Sequence, residues 1–237
     1  MPSAHPSASA LRTPGSRRWL PFLLTAIVIL GLLIWKPPFV IRPLPNAKPG
    51  TSAAAGAPTA NAATAFVDPI WESKIVPAFI EKAVDAKELL AAIQENSDSA
   101  GEKYGRREAT NPYNYLIKGS GQVTAVNTES RAGTLTIGSA DAKLGQNVTV
   151  QIGPVVLGTA VRDATGIVSF NQFTNQIDYA GVSKEMNARA IREALGGKNP
   201  AGLNGKQIRF VGAFTYDPHS AGNIRITPIK LEIQGPG

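Results

Sequence analysis

Cysteine does not occur among the 237 residues. Its absence excludes disulfides, thiol nucleophiles, thiolate metal sites and a lipid carried on cysteine, while leaving the redox compartment open. Histidine occurs only as His5 and His219, which argues against a histidine-dependent triad and against a multi-histidine metal centre. Acid is missing from residues 1–48, where Arg12, Arg17, Arg18, Lys36, Arg42 and Lys48 supply six of the seven net positive charges. The remainder of the chain is close to neutral. A nucleic-acid-binding body would carry its cations on the folded part, so nucleic acid is not an expected partner. The glycine-rich runs also lack phosphate-binding spacing. "IGPVVLGTA" is not G-x-G-x-x-G, and "LGGKNPAGLNGK" has no Ser or Thr after its lysine. No cofactor and no metal are expected.

One long apolar run is present. In "RRWLPFLLTAIVILGLLIWKPP", residues 19–35 carry no charge, and as a helix they would extend about 25 Å, enough for a short membrane span. Trp19 and Trp35 suit the two interfaces, and the arginines before the run place the N-terminus in the cytoplasm. A cleaved signal peptide would show small residues at a cleavage site soon after the apolar run, but the chain continues "KPPFVIRPLP". The expected organisation is a basic cytoplasmic tail (1–18), a transmembrane anchor (19–35), a Pro/Ala-rich disordered spacer (36–65) and an extracytoplasmic body (66–237).

Within the body, a helical lead-in comes first. Pro69 suits a first turn, Pro77 is expected to split two helices, and Asp85 with Glu88 reads as a helix cap with its partner. The period then falls to two. "GQVTAVNTESRAGTLTIGS" reads as a hairpin turning at 129–133, "NVTVQI" as a strand, and "GPVVLGTAVRDATGIVSF" as a second pair of short strands around "RDATG". A helix carrying Val182, Met186, Ala190, Ile191, Ala194 and Leu195 on one face closes at Gly196–Gly197. Two long strands finish the chain, and the apolar parity of the last switches at Pro228, which predicts a bulge. This order predicts a mainly β, α+β body: a small OB-like barrel with its helix before the last two strands. A two-sheet sandwich is the competitor.

"YGRR", "SRAGTLTI", "GKQIRFVGAF", "ITPIKLE" and above all "QIGPVVLGTAVRDATGIVSFNQFTNQIDYAGVSKEMNARAI" resemble a bacterial family of unknown function described as predicted periplasmic lipoproteins. The resemblance implies a location outside the inner membrane and a frequent genetic neighbourhood with sugar ABC transporters. It implies no reaction. Lacking cysteine, this chain departs from the lipoprotein pattern, and the apolar helix would serve as the anchor to the inner membrane.

A polar set lies in the most specific stretch: Arg131, Arg162, Asp163, Asn171, Asn175, Gln176, Tyr179 and Asn187. Amides, acid and arginine beside aromatics suit a sugar ligand. The same residues also cap helices and satisfy strand-edge backbone, because short polar side chains bond nearby main chain. Asp163 and Asp178 could alternatively pair as acid and base in a carbohydrate-active hydrolase. The expected role is a non-catalytic periplasmic accessory or binding protein, with transporter components or a sugar as partner.

Overall fold

The structure, a computed structural model, describes residues 60–138, 147–218 and 223–235. The expected tail, the anchor and residues 36–59 of the spacer lie outside the described residues. The helical lead-in starts earlier than expected. Helix α1 (Ala60–Ile70) begins six residues before Phe66, where an alanine-rich run has high helix propensity and Ala63 and Val67 are buried. Pro77 does not split the helix. A π-turn at Trp71–Ile75, in which the Val76 N–H donates to the Trp71 carbonyl, leads directly into α2 (Val76–Lys82). Pro77 therefore stands in the first turn of α2, where its missing N–H is not needed.

Helices α3 (Ala86–Glu95) and α4 (Ser97–Tyr104) start at capping side chains. The Asp85 carboxylate accepts from the Lys87 N–H and the Asn96 side chain from the Ser99 N–H, each at 2.9 Å. Glu88 does not complete a box with Asp85. It accepts from the Tyr104 hydroxyl at 2.6 Å, tying α3 to α4.

Two two-residue strands, Val84–Asp85 and Gly105–Arg106, pair with the first of five longer ones: β1 (Asn114–Asn127), β2 (Thr134–Gly138), β3 (Asn147–Gln151), β4 (Gln207–Thr215) and β5 (Asn223–Ile233). Their pairings run around a ring. β1 pairs with β2, β2 with β3 and β4 with β5, all antiparallel; β3 lies parallel to β5, and β4 returns antiparallel to β1. β1 serves two neighbours by changing partner along its length, facing β4 over 114–122 and β2 from Gln122 onward. Gly121 sits at that change. A Cβ there would lie 2.5 Å from Ile137 Cγ2 and 2.7 Å from the Gly138 carbonyl oxygen, so only glycine lets the strands close this tightly. The predicted bulge is present: Val211 faces Lys230 and Gly212 faces Pro228, leaving Ile229 as the extra residue.

Two apolar clusters result. One lies within the ring, where Val123, Leu135, Val150, Phe210 and Ile226 meet Leu89, Leu90 and Ile93 of α3. The other lies on the outer side, where Trp71, Ile75 and Phe79 pack with Leu116, Ala213 and Ile229 of the strands and with Val182, Met186 and Ala190 of helix α6 (Gln176–Leu195). Gly196, with φ +51°, closes α6. Tyr115 belongs to the first cluster, stacked on Phe214 at 5.2 Å between ring centroids. It is fully buried, and its hydroxyl has no hydrogen-bond partner among the described residues. Burial pushes its pKa up to about 12, with Tyr113 adding to the rise.

The strand pair expected around "RDATG" is absent. After β3 the chain makes turns and one short helix, α5 (Ala160–Asp163). The reason is local: Arg162 donates to Asp163 and to the Tyr179 carbonyl on α6, which coils the segment against that helix instead of extending it.

Candidate functional site

The segment from Gln151 to Asn187 is organised by short polar side chains. Gln151 is 1% exposed. Its amide nitrogen donates to Thr227 Oγ1 at 2.8 Å and to the Leu157 carbonyl at 3.1 Å, while its Oε1 accepts from the Leu157 N–H at 2.8 Å. This one side chain pins the loop 152–157 to β5. Gly153 sets the loop's other contact, since a Cβ there would stand 2.2 Å from the Arg131 carbonyl oxygen. The same carbonyl accepts the Val155 N–H at 3.1 Å.

At the next step Arg162 is buried. Its Nε donates to Asp163 Oδ1 at 2.6 Å, its Nη2 to Oδ2 at 3.1 Å and its Nη1 to the Tyr179 carbonyl at 3.0 Å. The guanidinium also lies 3.5 Å from the Tyr179 ring centroid, a cation–π contact strengthened by its shielding from water. Asp163 Oδ2 accepts from Thr159 Oγ1 at 2.6 Å, and Oδ1 from the Tyr179 hydroxyl at 3.3 Å. Both carboxylate oxygens are therefore occupied. Tyr179 is pushed up to about 12, first by burial and then by the Asp163 charge.

The raised tyrosines make a pH prediction. Their folded pKa values exceed the usual value near 10, so the native state holds protons that the unfolded chain releases. The stability this represents is complete below about pH 10 and is lost as pH rises toward 12. Fully buried Tyr115 should account for a slope of about 1.4 kcal/mol per pH unit, with partly exposed Tyr179 adding less. Tyr115→Phe should flatten the alkaline fall in urea midpoints, at little cost at pH 7.

The amides before α6 act locally. Ser169 and Gln172 form a capping box around a 3₁₀ turn, Phe170–Gln172. The Ser169 hydroxyl donates to Asn171 Oδ1. Asn175 caps α6, its Oδ1 accepting the Asp178 N–H and its Nδ2 donating to Asp178 Oδ2, both at 2.9 Å. Phe170 and Phe173 pack on the Tyr179 ring at 5.6 and 5.4 Å, and Phe173 meets Phe66 of α1 at 4.8 Å. Thus Arg162, Asp163 and Tyr179 form one knot. Asn187 joins its edge, donating at 2.9 Å to the Gly158 carbonyl beside Thr159. Arg131, Asn171, Asn175 and Gln176 are exposed and stand apart from the knot; Arg131 reaches the loop through its backbone alone.

An acid–base pair needs carboxyl groups free to exchange protons with a substrate. Asp163 is held by four donors, whereas the Asp178 carboxylate accepts one, from Asn175 Nδ2. Among the described residues no group of three or more His, Asp or Glu side chains could hold a metal.

Three side chains escaped the sequence reading. Gln151 ends an alternating strand with no sign of burial. Glu193 accepts from Trp71 Nε1 at 2.7 Å across 122 residues of chain. Ser183 could have been found: it interrupts the apolar face of α6 one turn before Asn187, and both are buried.

No curated protein matches the chain. Among solved structures it is similar to an OB-fold protein from Thermotoga maritima, at 22% identity and TM-score 0.52, over 73% of this chain and 94% of that one. At that identity the likeness speaks for the fold, and its OB type agrees with the ring of strands described above. The family described as "predicted periplasmic lipoprotein" matches residues 28–232, most of the chain, and carries a periplasmic, membrane-associated location. The chain belongs to this family of unknown function, DUF2291.

Proposed function

We propose that the protein is a membrane-anchored periplasmic accessory or binding protein without catalytic activity, serving a carbohydrate ABC uptake system. The non-catalytic reading rests on one observation: every oxygen of Asp163 already receives two donors from its own knot. The anchor rests on the charge-free run 19–35 with a tryptophan at each end, since no cysteine is present to carry a lipid. In this reading the N-terminus is cytoplasmic, the helix crosses the inner membrane once, and residues 36–59 give the OB-like body reach. The link to uptake rests on the family resemblance of the Gln151–Asn187 stretch.

Crosslinking in intact cells followed by affinity purification of the full chain tests the role. Subunits of an ABC uptake system should co-purify and be lost when residues 60–237 are deleted. Recovery of the chain alone from cells growing on several sugars would contradict the association.

A further inference from the structure

Helix α6 turns two polar side chains toward the protein, Ser183 and Asn187, which are 4% and 6% exposed. Asn187 uses its amide nitrogen on the Gly158 carbonyl. Its Oδ1 and the Ser183 Oγ have no hydrogen-bond partner among the described residues. Buried polar atoms are nearly always paired, so two unpaired ones a helical turn apart call for an explanation. Both residues line the same cleft, of about 400 Å³, between α6 and the loop after β3. That volume lies within the range of small-molecule sites.

The chemistry of the cleft narrows its occupant. Arg162 also lines it, but its charge is matched by Asp163 at 2.6 Å. The floor is thus neutral; the Asn187 carbonyl and the Ser183 hydroxyl beneath it are almost fully covered, so an occupant engages them as these side chains rotate toward the cleft. A ligand carboxylate would set its lone pairs against Asn187 Oδ1, and a ligand ammonium would meet Lys184 at the rim. A hydroxyl can donate to Asn187 Oδ1 and also exchange donor and acceptor with Ser183. Pro154, Val155 and Val156 form an apolar wall suited to the C–H face of the same molecule. We propose that this cleft binds a small, uncharged, polyhydroxylated molecule, held by Ser183 and Asn187. The proposal deepens the binding role proposed above and can fail separately from it, because crosslinking reports the protein partner and titration reports the cleft.

The test is a titration of the purified full-length chain, in a detergent without hydroxyl groups, followed by saturation-transfer NMR. The probes are D-ribose, D-glucose and myo-inositol, with L-alanine and citrate as charged controls. At least one neutral probe should bind and the controls should not. Ser183→Ala should weaken that binding about tenfold while leaving Tm unchanged or higher, because the lost hydroxyl has no protein partner. Ser183→Leu, which fills the cleft, should abolish it. Four results would overturn the proposal: no neutral probe binding, with water alone in the cleft; preferential binding of a charged control; affinity unchanged in Ser183→Ala; or a lower Tm in that variant.

Discussion

Trp71→Ala is expected to lower the unfolding free energy by about 4 kcal/mol, near the upper end for a buried aromatic. Trp71 is fully buried and lies in the π-turn that joins α1 to α2. Two losses combine. The larger is the cavity left among the apolar side chains of α1, α2 and α6, which these packed helices cannot collapse to fill. The smaller is the bond from Trp71 Nε1 to Glu193 Oε2 at 2.7 Å. Glu193 keeps Arg189, which donates to it at 3.0 Å and to Asp68 at 2.6 Å, so the carboxylate is not stranded. Trp71→Phe separates the terms: it keeps much of the bulk, loses the bond, and should cost about half as much. Urea denaturation of both variants measures the difference.

Asp163→Asn should cost about 3 kcal/mol, because it leaves the Arg162 guanidinium buried without a counter-charge. The guanidinium retains the Tyr179 carbonyl at 3.0 Å and the Tyr179 ring at 3.5 Å, which limits the loss. Arg162→Leu should cost less, about 1.5 kcal/mol. Asp163 is the more exposed partner, at 22% against 9%, and keeps the Thr159 and Tyr179 hydroxyls. The double variant should fall short of the sum, since the second change removes a charge already stranded by the first. A catalytic Asp163 predicts the opposite pattern: an Asn variant as stable as the parent that has lost a hydrolytic turnover. Calorimetry of the single and double variants decides between them.

Much of the fold was legible because it has a period. Val148 and Val150 alternate along β3, and the parity switch from Ile226 to Ile229 marks the bulge in β5. The face of α6 repeats every three to four residues as expected. The stretch 153–175 has no period. Its glycines, amides and hydroxyls bond within a few residues of themselves, so the strands expected around "RDATG" became α5 and turns. Pro77 was misread for a related reason: whether a proline breaks a helix depends on the hydrogen-bond register before it, and the π-turn shifts that register by one. The capping role of Asn175 followed from side-chain length alone. The pairing of Trp71 with Glu193 joins residues 122 apart, and no local pattern encodes it.

The central proposal is that the charge-free run 19–35 tethers this body on the periplasmic side of the inner membrane. Protease added to intact spheroplasts carrying the full chain, tagged at both ends, tests it directly. The account predicts that the C-terminal tag and residues 60–237 are digested while a small N-terminal fragment stays protected in the membrane. A C-terminal tag that survives until the spheroplasts are lysed would contradict it.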